Sequence, residues 1–125
     1  MFSNKEKDVN RIETLIGDHC SIIGSLTVNG LIKIDGCIDG DIFCEDDVIL
    51  DEPGRINGNI VCNNAYINGI LHGNICCKDT LSIEASGKVN GDISVKKLVI
   101  SEGGILDGKC TMVCYSTAEC EINSL

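Results

Sequence analysis

A seven-residue phrase recurs five times along the chain at intervals of 15 to 18 residues. It reads Gly36-Cys-Ile-Asp-Gly-Asp-Ile42, Gly54-Arg-Ile-Asn-Gly-Asn-Ile60, Gly69-Ile-Leu-His-Gly-Asn-Ile75, Gly87-Lys-Val-Asn-Gly-Asp-Ile93 and Gly104-Ile-Leu-Asp-Gly-Lys-Cys110. A degenerate sixth copy, Ser21-Ile-Ile-Gly-Ser-Leu26, stands in front of them. A fixed period of this length marks one supersecondary unit stacked on itself, so the fold is read from the repeat.

Within each copy, apolar or small residues alternate with polar ones over four inward positions, the two-residue period of a half-buried strand. The inward rows are Ile22/Gly24/Leu26/Val28, Ile38/Gly40/Ile42/Cys44, Ile56/Gly58/Ile60/Cys62, Leu71/Gly73/Ile75/Cys77, Val89/Gly91/Ile93/Val95 and Leu106/Gly108/Cys110/Met112. Stacked, they form columns, and the second column is always Gly, as a bend with no room for a Cβ requires. A second alternating pair precedes five rows, Ile32/Ile34, Val48/Leu50, Ala65/Ile67, Leu81/Ile83 and Leu98/Ile100, and supplies a facing wall. Fourteen glycines and the absence of any 3.6-residue apolar stripe exclude a helical reading.

The uneven period comes from the links between walls. Asp35-Gly-Cys37 and Asn68-Gly-Ile70 are short, whereas Asp51 to Arg55, Glu84 to Lys88 and Ser101 to Ile105 are two residues longer. The one proline, Pro53, sits in such a link, where it removes no ladder hydrogen bond. The expected fold is an all-β, single-domain parallel β-helix of about six coils over residues 16–112, roughly 29 Å long at about 4.8 Å per coil. Short tails, residues 1–15 and 113–125, flank it. Its core is narrow and aliphatic, since aromatic residues make up 3% of the chain.

Composition bounds the function. The sequence contains no apolar run near the length of a membrane span and no signal-peptide pattern, so a cytoplasmic location is expected. Nine cysteines are an odd number, and several lie in inward columns, which points to buried small hydrophobes rather than disulfides. The tail spacing of Cys110, Cys114 and Cys120 does not match paired zinc knuckles. The net charge of −9 is concentrated, with eight acidic and no basic residues between Asp35 and Glu52. A nucleic-acid partner is thereby disfavoured. The acidic stretch is read as a solvated face, or as a docking face for a basic partner.

No catalytic constellation emerges, and no cofactor or metal is expected. His19 lies in the entry coil, and His72 fills an outward position that is Asp or Asn in four other copies. Two histidines cannot build a three-His zinc site within one chain. The recurrent Asp and Asn residues follow the repeat as turn and strand-edge residues. The Gly-x-x-x-Gly spacing lacks the Lys-Ser/Thr of a phosphate-binding loop. A hexapeptide-repeat acyltransferase would need strict six-residue steps, which the 15-residue interval breaks.

The phrases Leu31-Ile-Lys-Ile-Asp-Gly-Cys-Ile-Asp-Gly-Asp-Ile42, Gly87-Lys-Val-Asn-Gly-Asp-Ile93 and Gly108-Lys-Cys-Thr-Met112 resemble the bactofilins, bacterial cytoskeletal proteins. The resemblance implies a right-handed, triangular β-helix that polymerises without nucleotide into non-polar filaments. It further implies a place at the inner face of the cytoplasmic membrane and a role in localising cell-wall or other morphogenetic proteins. The opening Met1-Phe-Ser-Asn-Lys-Glu-Lys-Asp8 resembles the short head of membrane-binding members, which makes Met1, Phe2, Lys5 and Lys7 the expected lipid contacts. The position of Leu106 is often Phe in relatives.

Solenoid physics leads to the same polymer. End coils expose unpaired ladder groups and apolar edges unless a cap covers them. Stacking like ends on each other produces a filament without polarity. The expected contact residues are Ile16, Ile22 and Leu26 in the first coil and Leu106, Cys110 and Met112 in the last. The alternative is a non-polymerising adaptor that binds a partner through its acidic face.

Overall fold

The computed structural model describes residues 12–112. Their eighteen short strands assemble into three six-stranded parallel sheets, which form the three faces of one β-solenoid. The first face holds Ile12–Ile16, Leu31–Ile34, Asp47–Leu50, Asn64–Ile67, Thr80–Ile83 and Lys97–Ile100. The second holds Ser21–Ile23, Cys37–Asp39, Arg55–Asn57, Ile70–His72, Lys88–Asn90 and Ile105–Asp107. The third holds Leu26–Val28, Ile42–Cys44, Ile60–Cys62, Ile75–Cys77, Ile93–Val95 and Cys110–Met112. Each face takes one strand per coil, so six coils stack along the axis and every strand pairs in parallel with its equivalent one repeat away.

Pairing register turns the sequence rows into columns. Ile16, Ile34, Leu50, Ile67, Ile83 and Ile100 lie one above the other on the first face. Ile22, Ile38, Ile56, Leu71, Val89 and Leu106 do so on the second. Side chains in the middle of these columns are almost fully buried, and no polar or charged side chain is buried among the described residues. The interior is an aliphatic stack, in which branched side chains repeat well in register.

The structure differs from the two-wall expectation. Each row of four inward positions breaks at its Gly, so what reads as one strand is two, and the solenoid has three faces. Gly24, Gly40, Gly58, Gly73, Gly91 and Gly108 form the corner between second and third faces, all at positive φ between 129° and 157°. At Gly58 a Cβ would stand 2.0 Å from the carbonyl oxygen of Gly40 in the preceding coil. The corner therefore excludes side chains through both backbone conformation and space.

The longer links are turns closed by a backbone hydrogen bond, from Gly54 N–H to Asp51 O (2.8 Å), Gly87 N–H to Glu84 O (2.9 Å) and Gly104 N–H to Ser101 O (2.8 Å). A fourth, from Cys20 N–H to Gly17 O (3.0 Å), closes the link of the first coil. That coil also owns a first-face strand, Ile12–Ile16, paired with Leu31–Ile34. The solenoid thus already includes Ile12–Ile16, ahead of the expected start at residue 16. Thr14 in place of an aliphatic residue weakens the alternation there and hides the strand from pattern reading.

Candidate polymerisation surfaces

The two ends of the stack are where the columns stop. At the C-terminal end the terminal members are Leu98, Ile100, Leu106, Cys110 and Met112, each with a buried counterpart one coil earlier. Ile100 is 44% exposed and Met112 42%, whereas Ile83 and Val95 beneath them are at 0%. Leu98 and Leu106 are partly buried, and Cys110 is exposed. At the N-terminal end Ile22, Leu26 and Val28 are partly buried and pack against the core. Ile16, expected at that surface, is only 6% exposed and belongs to the core. Leu98 and Ile100 were absent from the expected contact set, although both complete first-face columns.

A side-chain ladder runs up the corner between second and third faces. Asp41 Oδ1 accepts the backbone N–H of Asn59 (2.9 Å), Asn59 Oδ1 that of Asn74 (3.0 Å), Asn74 Oδ1 that of Asp92 (2.9 Å) and Asp92 Oδ1 that of Lys109 (3.1 Å). These residues satisfy backbone donors that the Gly corner turns away from the sheet. The signal was present in the sequence, because the sixth position of the phrase is Asp or Asn in four copies and Lys in the last. A Lys side chain offers no acceptor, so the ladder ends at Lys109.

Charge is distributed along the axis rather than on one face. Between residues 12 and 63, the first three coils, there are ten acidic and two basic side chains, a net of −8. From 64 to 112, the last three coils, there are five of each. Within the acidic stretch, Asp39 lies on the second face, Asp41 at the corner after it, Glu45 and Asp46 at the corner between third and first faces, and Asp51 at the next turn. The acids ring the rod, which replaces the expected single acidic face. Lys33 offsets part of this charge, with Nζ 3.0 Å from Asp35 and 3.1 Å from Asp51.

The profile of the bactofilin family, described as polymer-forming cytoskeletal, matches residues 14–111. The chain belongs to the bactofilin family. The match reaches into both end coils and includes every end residue named above except Met112. Among solved structures, the chain is similar to the bactofilin of Thermus thermophilus in a cryo-EM reconstruction of double helical filaments, with a TM-score of 0.69 and 19% sequence identity. That similarity covers 78% of this chain and 98% of the Thermus chain. No curated protein matches.

Cys44, Cys62 and Cys77 are buried in the third-face columns. A hydrogen bond between Cys62 and Cys77, whose sulfurs are 3.7 Å apart, together with burial pushes the Cys62 thiol far above its ordinary range. Burial also raises Cys44 and Cys110. Protonated thiols are poor nucleophiles and poor metal ligands. His72 is exposed beside Asn90, 3.1 Å from its amide nitrogen, and His19 is exposed near Asp18. Among the described residues no group of three or more His, Cys, Asp or Glu side chains is arranged to hold a metal ion, and no helix is long and apolar enough to cross a membrane. The expected lipid contacts Met1, Phe2, Lys5 and Lys7, and the tail from residue 113, lie outside the described residues.

Proposed function

We propose that this bactofilin is a cytoskeletal scaffold whose subunits join through their end coils, without nucleotide, into non-polar filaments. The observation that carries the reading is the C-terminal end, where Ile100, Leu106, Cys110 and Met112 are the last members of buried columns among the described residues and are only partly buried or exposed. Covering such an end removes on the order of a few hundred Å² of apolar surface from water, at roughly 25 cal/mol per Å². Burial of that size drives association without a chemical energy source. Two like-with-like contacts, one at each end, propagate a chain without polarity. The filament of the Thermus relative supports polymer formation by this fold.

The reading extends to location and partners. The segment Met1 to Lys7 pairs a Phe and a Met with two lysines, a weak membrane anchor singly and a strong one when repeated along a filament. The filament would then lie at the inner face of the cytoplasmic membrane, in the cytoplasm, and hold cell-wall or morphogenetic proteins in place. An adaptor working through one acidic face loses its basis, because the acids encircle the rod. Electron microscopy of purified, nucleotide-free protein is expected to show filaments, and vesicle flotation is expected to lose them when residues 1–7 are deleted. Dispersed particles in the first experiment, or unchanged flotation in the second, would remove the corresponding part of the proposal.

A further inference from the structure

The two ends of the rod differ in a way that bears on the order of assembly. At about 4.8 Å per coil, the first three coils place all ten of their acidic side chains within about 15 Å of the N-terminal end. Only Lys33 and Arg55 oppose them. The acids ring the rod, so rotating one subunit against another about the axis does not bring a neutral side to the joint. The open depression at the corner of coils 1 and 2 is itself lined by Glu13 and Asp46 beside Thr27 and Val28. The last three coils carry no net charge, and their inward columns end more exposed, with Ile100 at 44% against 6% for its first-coil counterpart Ile16, while the apolar exposure of the first coil is on outward-facing Leu15 and Ile23.

A contact between two C-terminal ends therefore covers more exposed inward columns and meets far weaker repulsion, from the two acids of residues 113–125 beside coils of no net charge. A contact between two N-terminal ends meets better covered inward columns and brings two coil sets of −8 together, which residues 1–11 reduce only to −7 each, with Lys5, Lys7 and Arg11 against Glu6 and Asp8. We infer that the two joints form in a fixed order: C-terminal coils pair first to give a dimer, and ionic screening controls the N-terminal joint that links dimers into filaments. The partner at both surfaces is a second copy of this chain. The inference rests on the like-with-like stacking proposed above.

Screening sets the scale of the effect. The Debye length is about 30 Å at 0.01 M ionic strength, so both acidic halves interact across the whole joint. It falls to about 8 Å at 0.15 M and about 3 Å at 1 M, where only the nearest charges remain. The C-terminal joint, with balanced charges in its coils and two further acids in residues 113–125, has a much weaker dependence. The N-terminal joint thus acts as the point at which the ionic surroundings set filament length.

Sedimentation velocity of the full chain at about 0.01 M and about 0.5 M ionic strength tests the order. The expected result is dimers at the lower strength and long polymers at the higher. Replacing exposed Glu13, Asp18 and Asp39 together by Lys is expected to restore polymers at the lower strength, which separates charge repulsion from any general effect of salt on apolar burial. Leu106→Arg is expected to reduce the low-salt dimer to monomer, which identifies the joint that forms first. Equal polymer length at both strengths would overturn the inference and favour head-to-tail stacking, in which an acidic end meets a neutral one. A dimer that survives Leu106→Arg at low ionic strength would also overturn it, by showing that the N-terminal ends meet first. Absence of polymer under every condition would overturn the end-to-end reading itself.

Discussion

Gly58 packs against Gly40 of the preceding coil so closely that a β-carbon on residue 58 would stand 2.0 Å from the Gly40 carbonyl oxygen. The same contact repeats from Gly73 to Gly58 and from Gly91 to Gly73, which makes the glycine corner a continuous spine. Gly58→Ala combines a positive φ with a backbone clash and is expected to destabilise by about 3 kcal/mol or more. Gly91→Ala should do the same. Thermal unfolding checks this, and midpoints equal to that of the unsubstituted chain would contradict the role assigned to the corner.

The carboxamide ladder is expected to contribute through its acceptors rather than its charge. Asn74→Ala leaves the Asp92 N–H without its 2.9 Å partner, at a surface where water partly replaces it, for a loss of about 1 kcal/mol. Asn74→Asp keeps an acceptor oxygen and should recover most of the loss. Urea denaturation of the two variants decides the point. Equal stability of both, at either level, would show that the oxygen is not what matters.

Lys33 offers a pH signature. Burial lowers its pKa, but the hydrogen bonds it donates to the Asp35 and Asp51 carboxylates, with their negative charge, outweigh that and leave it raised above its ordinary value. A raised folded value means stability that is fully present below the unfolded pKa of about 10.4 and is lost as pH rises through the folded one. The side chain is partly exposed, so the gain is screened to no more than about 1 kcal/mol. The stability gap between the chain and Lys33→Met should therefore be open at neutral pH and narrow above the lysine range and in high salt. A gap that is constant with pH would show that packing of the stem, not the charge, holds Lys33 in place.

Thiol accessibility follows from the columns. Cys20 and Cys37 are exposed, whereas Cys44, Cys62 and Cys77 are buried, and the sulfurs of Cys62 and Cys77 face each other inside the rod. Alkylation of the folded protein, mapped by mass spectrometry, should label the first two and spare the last three until denaturant is added. Rapid native labelling of Cys62 or Cys77 would mean that the coils open far more readily than a continuous aliphatic stack allows.

Much of this architecture was legible in the sequence, for a physical reason. Ile38 and Ile56, or Ile75 and Ile93, recur at the period of the coil and become register partners, because a solenoid converts sequence distance directly into height along the axis. Position around the axis was harder to read. The row Ile56/Gly58/Ile60/Cys62 keeps its alternation across the corner, so the turn into a third face leaves no break in the pattern. The acids from Asp35 to Glu52 are contiguous in sequence yet ring the rod, since successive links point to different corners. The first strand was missed where Thr14 interrupts the aliphatic pattern, and Ile16 was assigned to the open end although the structure buries it at 6%. The Asp41 to Lys109 ladder was visible as a recurring residue type, but its hydrogen bonds reach across coils and appear only with the register.

End-to-end association through the last coil is the central claim, and Leu106→Arg tests it most directly. Leu106 is the last member of the column that runs from Ile22 through Ile56 and Val89, and it is only partly buried where Val89 beneath it is fully so. An arginine there would carry an unpaired charge into the joint, a cost of several kcal/mol. Met112→Arg, at a more exposed terminal position, provides the same test with less risk to folding. Sedimentation velocity in moderate salt, on proteins that retain the β-sheet circular dichroism of the parent chain, is predicted to show long polymers for the parent. Both variants are predicted to give species no larger than a dimer. Folded variants that sediment as long polymers would contradict the assignment of the C-terminal coil as an assembly surface.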